Sequence, residues 1–90
     1  MISYSVSLTK SARKELDKLS ERVQERIVDL LKMLAINPFS ELLQVKKLKE
    51  ERDLYRARVG DYRVVYCVIN SEVHVVVIKI GHRKDVYREL

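Results

Sequence analysis

The segment LYRARVGDYRVVY, residues 54 to 66, constrains the fold more than any other part of this 90-residue chain. Apolar residues alternate with others on both sides of Gly60-Asp61, which is the period of a strand. Gly-Asp suits a two-residue hairpin loop with glycine at the first central position. With that loop, Val59 faces Tyr62, Arg58 faces Arg63, Ala57 faces Val64 and Arg56 faces Val65. Tyr55, Ala57, Val59, Tyr62, Val64 and Tyr66 then share one face, and Arg56, Arg58 and Arg63 share the other. A lone hairpin is at best marginally stable in water, so other elements must cover the apolar face.

Those elements are legible on both sides. Ile2, Tyr4, Val6 and Leu8 alternate with serines and predict a first strand. A helix from about Lys10 to Leu19 carries Ala12, Leu16 and Leu19 on one stripe. Ser20 is the N-cap of a second helix, whose Val23, Ile27, Leu30, Leu31 and Leu34 repeat until Asn37-Pro38 stops it. Residues 39 to 53 read as a charged connection with room for a short helical turn. After the hairpin comes a Val-rich strand, joined through a loop at Asn70-Ser71. Carried through that loop, the register puts Val73, Val75 and Val77 with the core set and His74 opposite Cys67. His74, Val76 and Ile78 join the arginine face, where Val65, Val76 and Ile78 leave apolar surface. The predicted fold is α+β: an N-terminal strand, a two-helix hairpin, then a three-stranded antiparallel meander. The strands form one sheet with the helices on one face, followed by a short C-terminal helical tail, all in one domain spanning 1–90.

Composition limits the environment and the partner. The longest apolar run falls far short of the roughly 20 residues that span a bilayer, and the N-terminus lacks the pattern of a cleaved leader, so a cytoplasmic protein is expected. The single Cys67 cannot form an internal disulfide and reads as a small apolar strand residue. Lys and Arg outnumber Asp and Glu by 18 to 13, which favours a polyanionic partner. Residues 10 to 34 hold seven basic and five acidic residues, an ordinary solvated helix pair, whereas Lys46 to Arg63 hold seven and four. The surplus lies mainly in the C-terminal half.

Charged residues on strands ordinarily mean a solvated face. Here two arginines are directly opposed and a third lies two residues away, an arrangement that repels unless an anion sits between them. Guanidinium is the side chain best shaped to fork onto phosphate oxygens. The second constellation is GHRKDVY, residues 81 to 87, where Gly81 ends the last strand and His82, Arg83 and Lys84 return positive charge to the Arg63 end of the sheet. Tyr87 offers a ring for stacking on a base, or for packing a terminal helix against the sheet. Cys67 and His74 lack the further ligands of a metal site. No phosphate-binding glycine loop, dinucleotide fingerprint or GxSxG elbow is present, and the carboxylates are scattered. The expectation is chemistry without metal or cofactor.

In order and in detail, YRARVGDYRVVY followed by a Val-rich strand and GHRKDVY resembles the RelE branch of the RelE/ParE toxin superfamily, over essentially the whole chain. The resemblance implies a toxin of a type II toxin-antitoxin system that enters the ribosomal A site and cuts mRNA there, silenced by a RelB-like antitoxin. It assigns Arg63 to the scissile phosphate, Arg83 to the leaving group and Tyr87 to substrate orientation and stacking. Arg56 and Arg58 fall where the best-known member has lysines, one of them proposed as general base. Lysine can give up a proton and arginine does not. Imidazole titrates nearest neutrality among side chains, which makes His82 the candidate acid or base. Arg56 and Arg58 join Arg63, Arg83 and Tyr87 in the expected catalytic set and, with Lys46, Lys47, Lys49 and Lys84, make up the expected RNA-binding set. Two other functions fit parts of the pattern: a ParE-like inhibitor of DNA gyrase, and a basic RNA-binding module without catalysis.

Overall fold

The structure is a computed structural model, and it describes residues 3–49 and 53–82. Strand β1 (Ser5–Leu8) leads into helices α1 (Lys10–Asp17) and α2 (Glu21–Ile36). Four strands follow: β2 (Lys46–Lys49), β3 (Leu54–Val59), β4 (Tyr62–Ile69) and β5 (His74–His82). They form one five-stranded sheet in the order β1-β5-β4-β3-β2, with β1 parallel to β5 and the other pairs antiparallel.

Local chemistry sets the helix boundaries. Thr9 Oγ1 accepts from Ala12 N at 3.1 Å, and Ser20 Oγ accepts from Val23 N at 3.3 Å, so each helix starts on a hydroxyl cap. Pro38 ends α2, and Asn37 Oδ1 accepts from Phe39 N at 3.0 Å to fold the chain away. The apolar stripes, Ala12 and Leu16 on α1 and Ile27, Leu30, Leu31 and Leu34 on α2, pack with Ala57, Val64, Tyr66, Val68, Val75, Val77 and Ile80 in one core. Among the described residues no helix is long and apolar enough to cross a membrane.

The hairpin has the expected register, from Arg56 opposite Val65 to Val59 opposite Tyr62. Gly60 turns it with φ of 58°, a conformation that costs a residue bearing a Cβ. Three expectations about strand number, register and extent need correction. The charged connection contains β2, paired to β3 with Lys46 opposite Arg56, so the helices are followed by four strands rather than a three-stranded meander. The loop after β4 is a 3-10 turn at Asn70–Glu72 closed by left-handed Val73, which places Cys67 opposite Val76 and leaves Ile69, not Cys67, facing His74. That slip of two preserves the faces, because side chains alternate with a period of two. Strand β5 also runs on through Gly81 to His82 instead of ending at Gly81. The expected C-terminal helical tail lies outside the described residues.

The second face of the sheet is not open. Leu54 and Val65 are buried there with Leu48, Cys67 and Ile78 packed against them. Val65, expected as exposed apolar surface, has 0% exposure, and Val76 and Ile78 are half-buried.

An aromatic stack ties the α2-β2 connection to the sheet. Tyr55 stacks on Tyr66 at 5.9 Å between centroids, and Phe39 meets Tyr55 edge-on at 5.2 Å. The fully buried Tyr66 donates its hydroxyl to Pro38 O at 2.5 Å. Burial, and secondarily Tyr55, raises the Tyr66 phenol above the ordinary tyrosine range. Tyr66→Phe should therefore lower unfolding free energy in urea by about 1–3 kcal/mol, since the Pro38 carbonyl loses its donor. The folded state holds this proton more tightly than the unfolded one, so stability persists below about pH 10 and falls above it. The parent should lose stability more steeply than Tyr66→Phe there, by up to about 1.4 kcal/mol per pH unit. Equal alkaline slopes would contradict the assignment.

Candidate functional site

Arg63 lies on the central strand β4, with Arg58 opposite it on β3 and Gly81 opposite it on β5. It is 9% exposed, the one charged residue counted as buried among the described residues. Its Nε and Nη1 are enclosed and meet no hydrogen-bond acceptor among those residues. Burying a guanidinium in this way costs free energy in the isolated fold, because each unmade hydrogen bond forfeits solvation.

Around Arg63 is a basin of about 280 Å³ lined by Lys46, Leu48, Arg56 and Arg63 itself. Strand β2 supplies Lys46 and Leu48, β3 supplies Arg56 and β4 supplies Arg63. Arg56 is steadied where its Nη1 donates to Gln44 O at 3.4 Å, a carbonyl presented by the left-handed turn that ends the 3-10 segment Glu41–Leu43. Among the described residues three cations and no carboxylate line this basin, which suits an anion with several oxygen acceptors.

Not all of the expected basic set converges here. Arg58 donates from Nε to Gly60 O at 3.2 Å and lines a different groove, of about 300 Å³, with Arg26, Asp29 and Met33 of α2 and Leu42 of the 3-10 turn. Strand β2 begins at Lys46, opposite Arg56, so on that side β2 does not reach Arg58, whose partner in the sheet is Arg63 on β4. Lys47 sits over the Tyr55 ring at 5.8 Å, on the helix side of the sheet. His82 places its ring edge-on to Tyr62 at 5.8 Å, opposite it in register. Lys49 belongs to β2 by its backbone. Arg83, Lys84 and Tyr87 lie outside the described residues.

Two participants escaped the sequence reading. Leu48 walls the basin, and its signal was the apolar residue inside KKLK, which the surrounding lysines masked. Arg26 joins Arg58 in the second groove; on a mixed-charge helix nothing distinguished it from its neighbours. Among the described residues no three His, Cys, Asp or Glu side chains gather as a metal site would require.

Similarity to known proteins extends over nearly the full chain. Residues 6–87 match the family described as "ParE toxin of type II toxin-antitoxin system, parDE". Toxin RelG of Mycobacterium tuberculosis is 34% identical over 88 residues, covering 94% of this chain and 97% of that protein. The mRNA interferase toxin RelE of Escherichia coli K12 is 32% identical over 92 residues, covering 98% and 94%. In three dimensions the archaeal RelE of the RelE-RelB complex from Pyrococcus horikoshii superposes with a TM-score of 0.82 at 32% identity, over 93% of this chain and 99% of that one.

The unmatched guanidinium makes a prediction that involves no substrate. Arg63→Met keeps an unbranched stem about as far as Nε and removes the two enclosed donors, so it should raise unfolding free energy by about 1–3 kcal/mol. Inorganic phosphate should raise the melting temperature of the parent by a saturable increment that Arg63→Met lacks, above the general stabilisation the salt gives both. A destabilised variant that responds to phosphate as the parent does would contradict the basin as an anion site.

Proposed function

This chain belongs to the RelE/ParE toxin superfamily of type II toxin-antitoxin systems, and from that premise we propose that it is a ribosome-dependent, metal-independent mRNA endoribonuclease. The observation that carries the reading is the enclosed Arg63 guanidinium beside Arg56 and Lys46. A toxin that acts by blocking a protein surface has no use for such a charge; one that stabilises a crowded phosphorane does.

In the proposed reaction the RNA 2′-oxygen attacks the adjacent phosphorus, the P–O5′ bond breaks, and the products are a 2′,3′-cyclic phosphate and a 5′-hydroxyl. The 2′-hydroxyl gives up its proton and the departing 5′-oxygen gains one. Arg63 holds the non-bridging oxygens, Arg56 and Lys46 anchor neighbouring phosphate, and Arg83 assists the leaving oxygen. Tyr87 stacks on the substrate. With arginine at both 56 and 58, catalysis rests on fixed positive charge and on the geometry the ribosome imposes on mRNA, more than on a titrating lysine. His82 makes at most a modest contribution as acid or base, because its ring rests against Tyr62. Arg58 serves an RNA contact away from the scissile phosphate.

A RelB-like antitoxin would neutralise the toxin in the cytoplasm. The solved relative from Pyrococcus horikoshii is itself a RelE-RelB complex. An acidic, amphipathic antitoxin suits a chain with a formal charge of +5. The second reading, inhibition of DNA gyrase, draws on the ParE description of the matching family. Sequencing the 5′ ends of cellular mRNA after brief induction separates the two. In-frame cuts in translated messages support the nuclease, and intact messages accompanied by DNA damage support the gyrase inhibitor.

Single-residue variants sharpen the reading. Arg63→Ala and Arg83→Ala should each lose on the order of 3 kcal/mol of transition-state stabilisation in single-turnover cleavage on programmed ribosomes. His82→Gln should lose roughly tenfold or less. A thousandfold loss in His82→Gln would make the imidazole essential and overturn catalysis by fixed charge.

A further inference from the structure

Strand β5 contains one residue more than its neighbour can pair. Tyr66 of β4 faces Val77, but Val65 faces Lys79, which leaves Ile78 as a bulge. Beyond it, Val64 faces Ile80, Arg63 faces Gly81 and Tyr62 faces His82. Without the bulge the strand would slip by one, setting Ile80 opposite Arg63 and Lys79 into the core position that Ile80 fills at 2% exposure. Burying Lys79 in that apolar core would be costly, so the sequence favours the bulge.

The bulge falls where β5 loses its other neighbour. Strand β1 pairs with His74 through Val77, and the last bond from that side runs from Thr9 N to Val77 O at 3.0 Å. The chain then turns into α1. Glu15 of that helix takes over the edge: its Oε1 accepts from Ile80 N at 3.0 Å, and its Oε2 lies 3.5 Å from Lys79 Nζ. Both side chains are mostly shielded, 27% exposed for Glu15 and 18% for Lys79, so the bond to a backbone N–H is charge-assisted with little competition from water. One carboxylate thus grips two consecutive residues just past the bulge.

We propose that Glu15 is a positioning residue that locks this bulge and so fixes the register setting Gly81, which has no side chain, opposite Arg63. Its effect on cleavage rests on the nuclease reading. The lock itself is a property of the fold. Glu15 touches neither Arg63 nor the basin, and acts through the strand that borders them.

Two variants and two readouts test this. Glu15→Ala removes both contacts, and Glu15→Gln keeps an acceptor of the same reach without the charge. In Glu15→Ala, amide hydrogen exchange at Ile80 and Gly81 should accelerate on the order of 30-fold relative to Val64, as a local opening would produce. Single-turnover cleavage at saturating ribosomes should fall about tenfold or more with the half-saturating ribosome concentration unchanged, because alignment rather than binding is lost. Glu15→Gln should restore both to within about threefold, while its Ile80 amide proton resonance moves upfield because a neutral acceptor bonds more weakly. Unchanged exchange in Glu15→Ala, or a Glu15→Gln as defective as Glu15→Ala, overturns the proposal. Should Glu15→Ala not fold, an unmoved Ile80 resonance in Glu15→Gln overturns it and the upfield shift supports it. A parent protein that leaves ribosome-bound mRNA uncut defeats the nuclease reading, and the amide data then decide the lock alone.

Discussion

Strand β4 is covered on both faces, with Val64, Tyr66 and Val68 against the helix-side core and Arg63 and Val65 enclosed on the other side, so any charge it carries must be taken from water as the sheet forms. For Val65 and Tyr66 this burial is the source of stability, and for Arg63 it is a cost. A guanidinium there keeps its charge, since arginine does not shed its proton under such conditions. The rest of the second face follows from accommodating it. Strand β2 brings Lys46 and Leu48 to one side, Arg56 is held by the Gln44 carbonyl, and Gly81 stands opposite without a side chain.

This arrangement divides the positive charge of the sheet into two places with different physical roles. Arg63, Arg56 and Lys46 line a basin with no carboxylate among the described residues, where the enclosed Arg63 guanidinium is poorly screened by water. Arg58 and Arg26 line a groove that also contains Asp29 and the exposed Leu42, a mixed surface of the kind that contacts other macromolecules. Opposed in the ladder, Arg58 and Arg63 avoid each other's charge because Arg58 bonds the Gly60 carbonyl. The direct opposition of two arginines is thus relieved by the turn as well as by any anion.

Much of this was legible in the residues. Alternation on either side of Gly60-Asp61 carried enough information to place Arg58 opposite Arg63, because a two-residue loop leaves no freedom of register. The first helix followed from its apolar stripe, and the second from the Ser20 cap, its stripe and Asn37-Pro38; the Thr9 cap of the first was not read. Strand β2 was not legible, since KKLK has one apolar residue and acquires its conformation by pairing with β3 rather than from its own pattern. The bulge at Ile78 was hidden for a different reason. In VHVVVIKI nearly every residue suits a strand, and the one mark of a broken period is Lys79 at a position where simple alternation from Val75 and Val77 would bury it; the contact to Glu15, 65 residues from Ile80 in the chain, has no local signal. Side-chain direction within a correctly placed face was equally invisible, as Arg58 and His82 demonstrate.

On this reading Arg63 is kept buried and charged to hold phosphate. The most direct test is NMR observation of the arginine Nε–H groups while a dinucleotide carrying a 2′-deoxy blocked scissile position is titrated into the protein. The Arg63 Nε–H signal should shift saturably, with Arg56 responding in parallel, as charge-assisted bonds between the guanidinium and phosphate form. An Arg63 signal that stays unmoved while Arg26 and Arg58 respond would place the phosphate in the other groove and contradict the account.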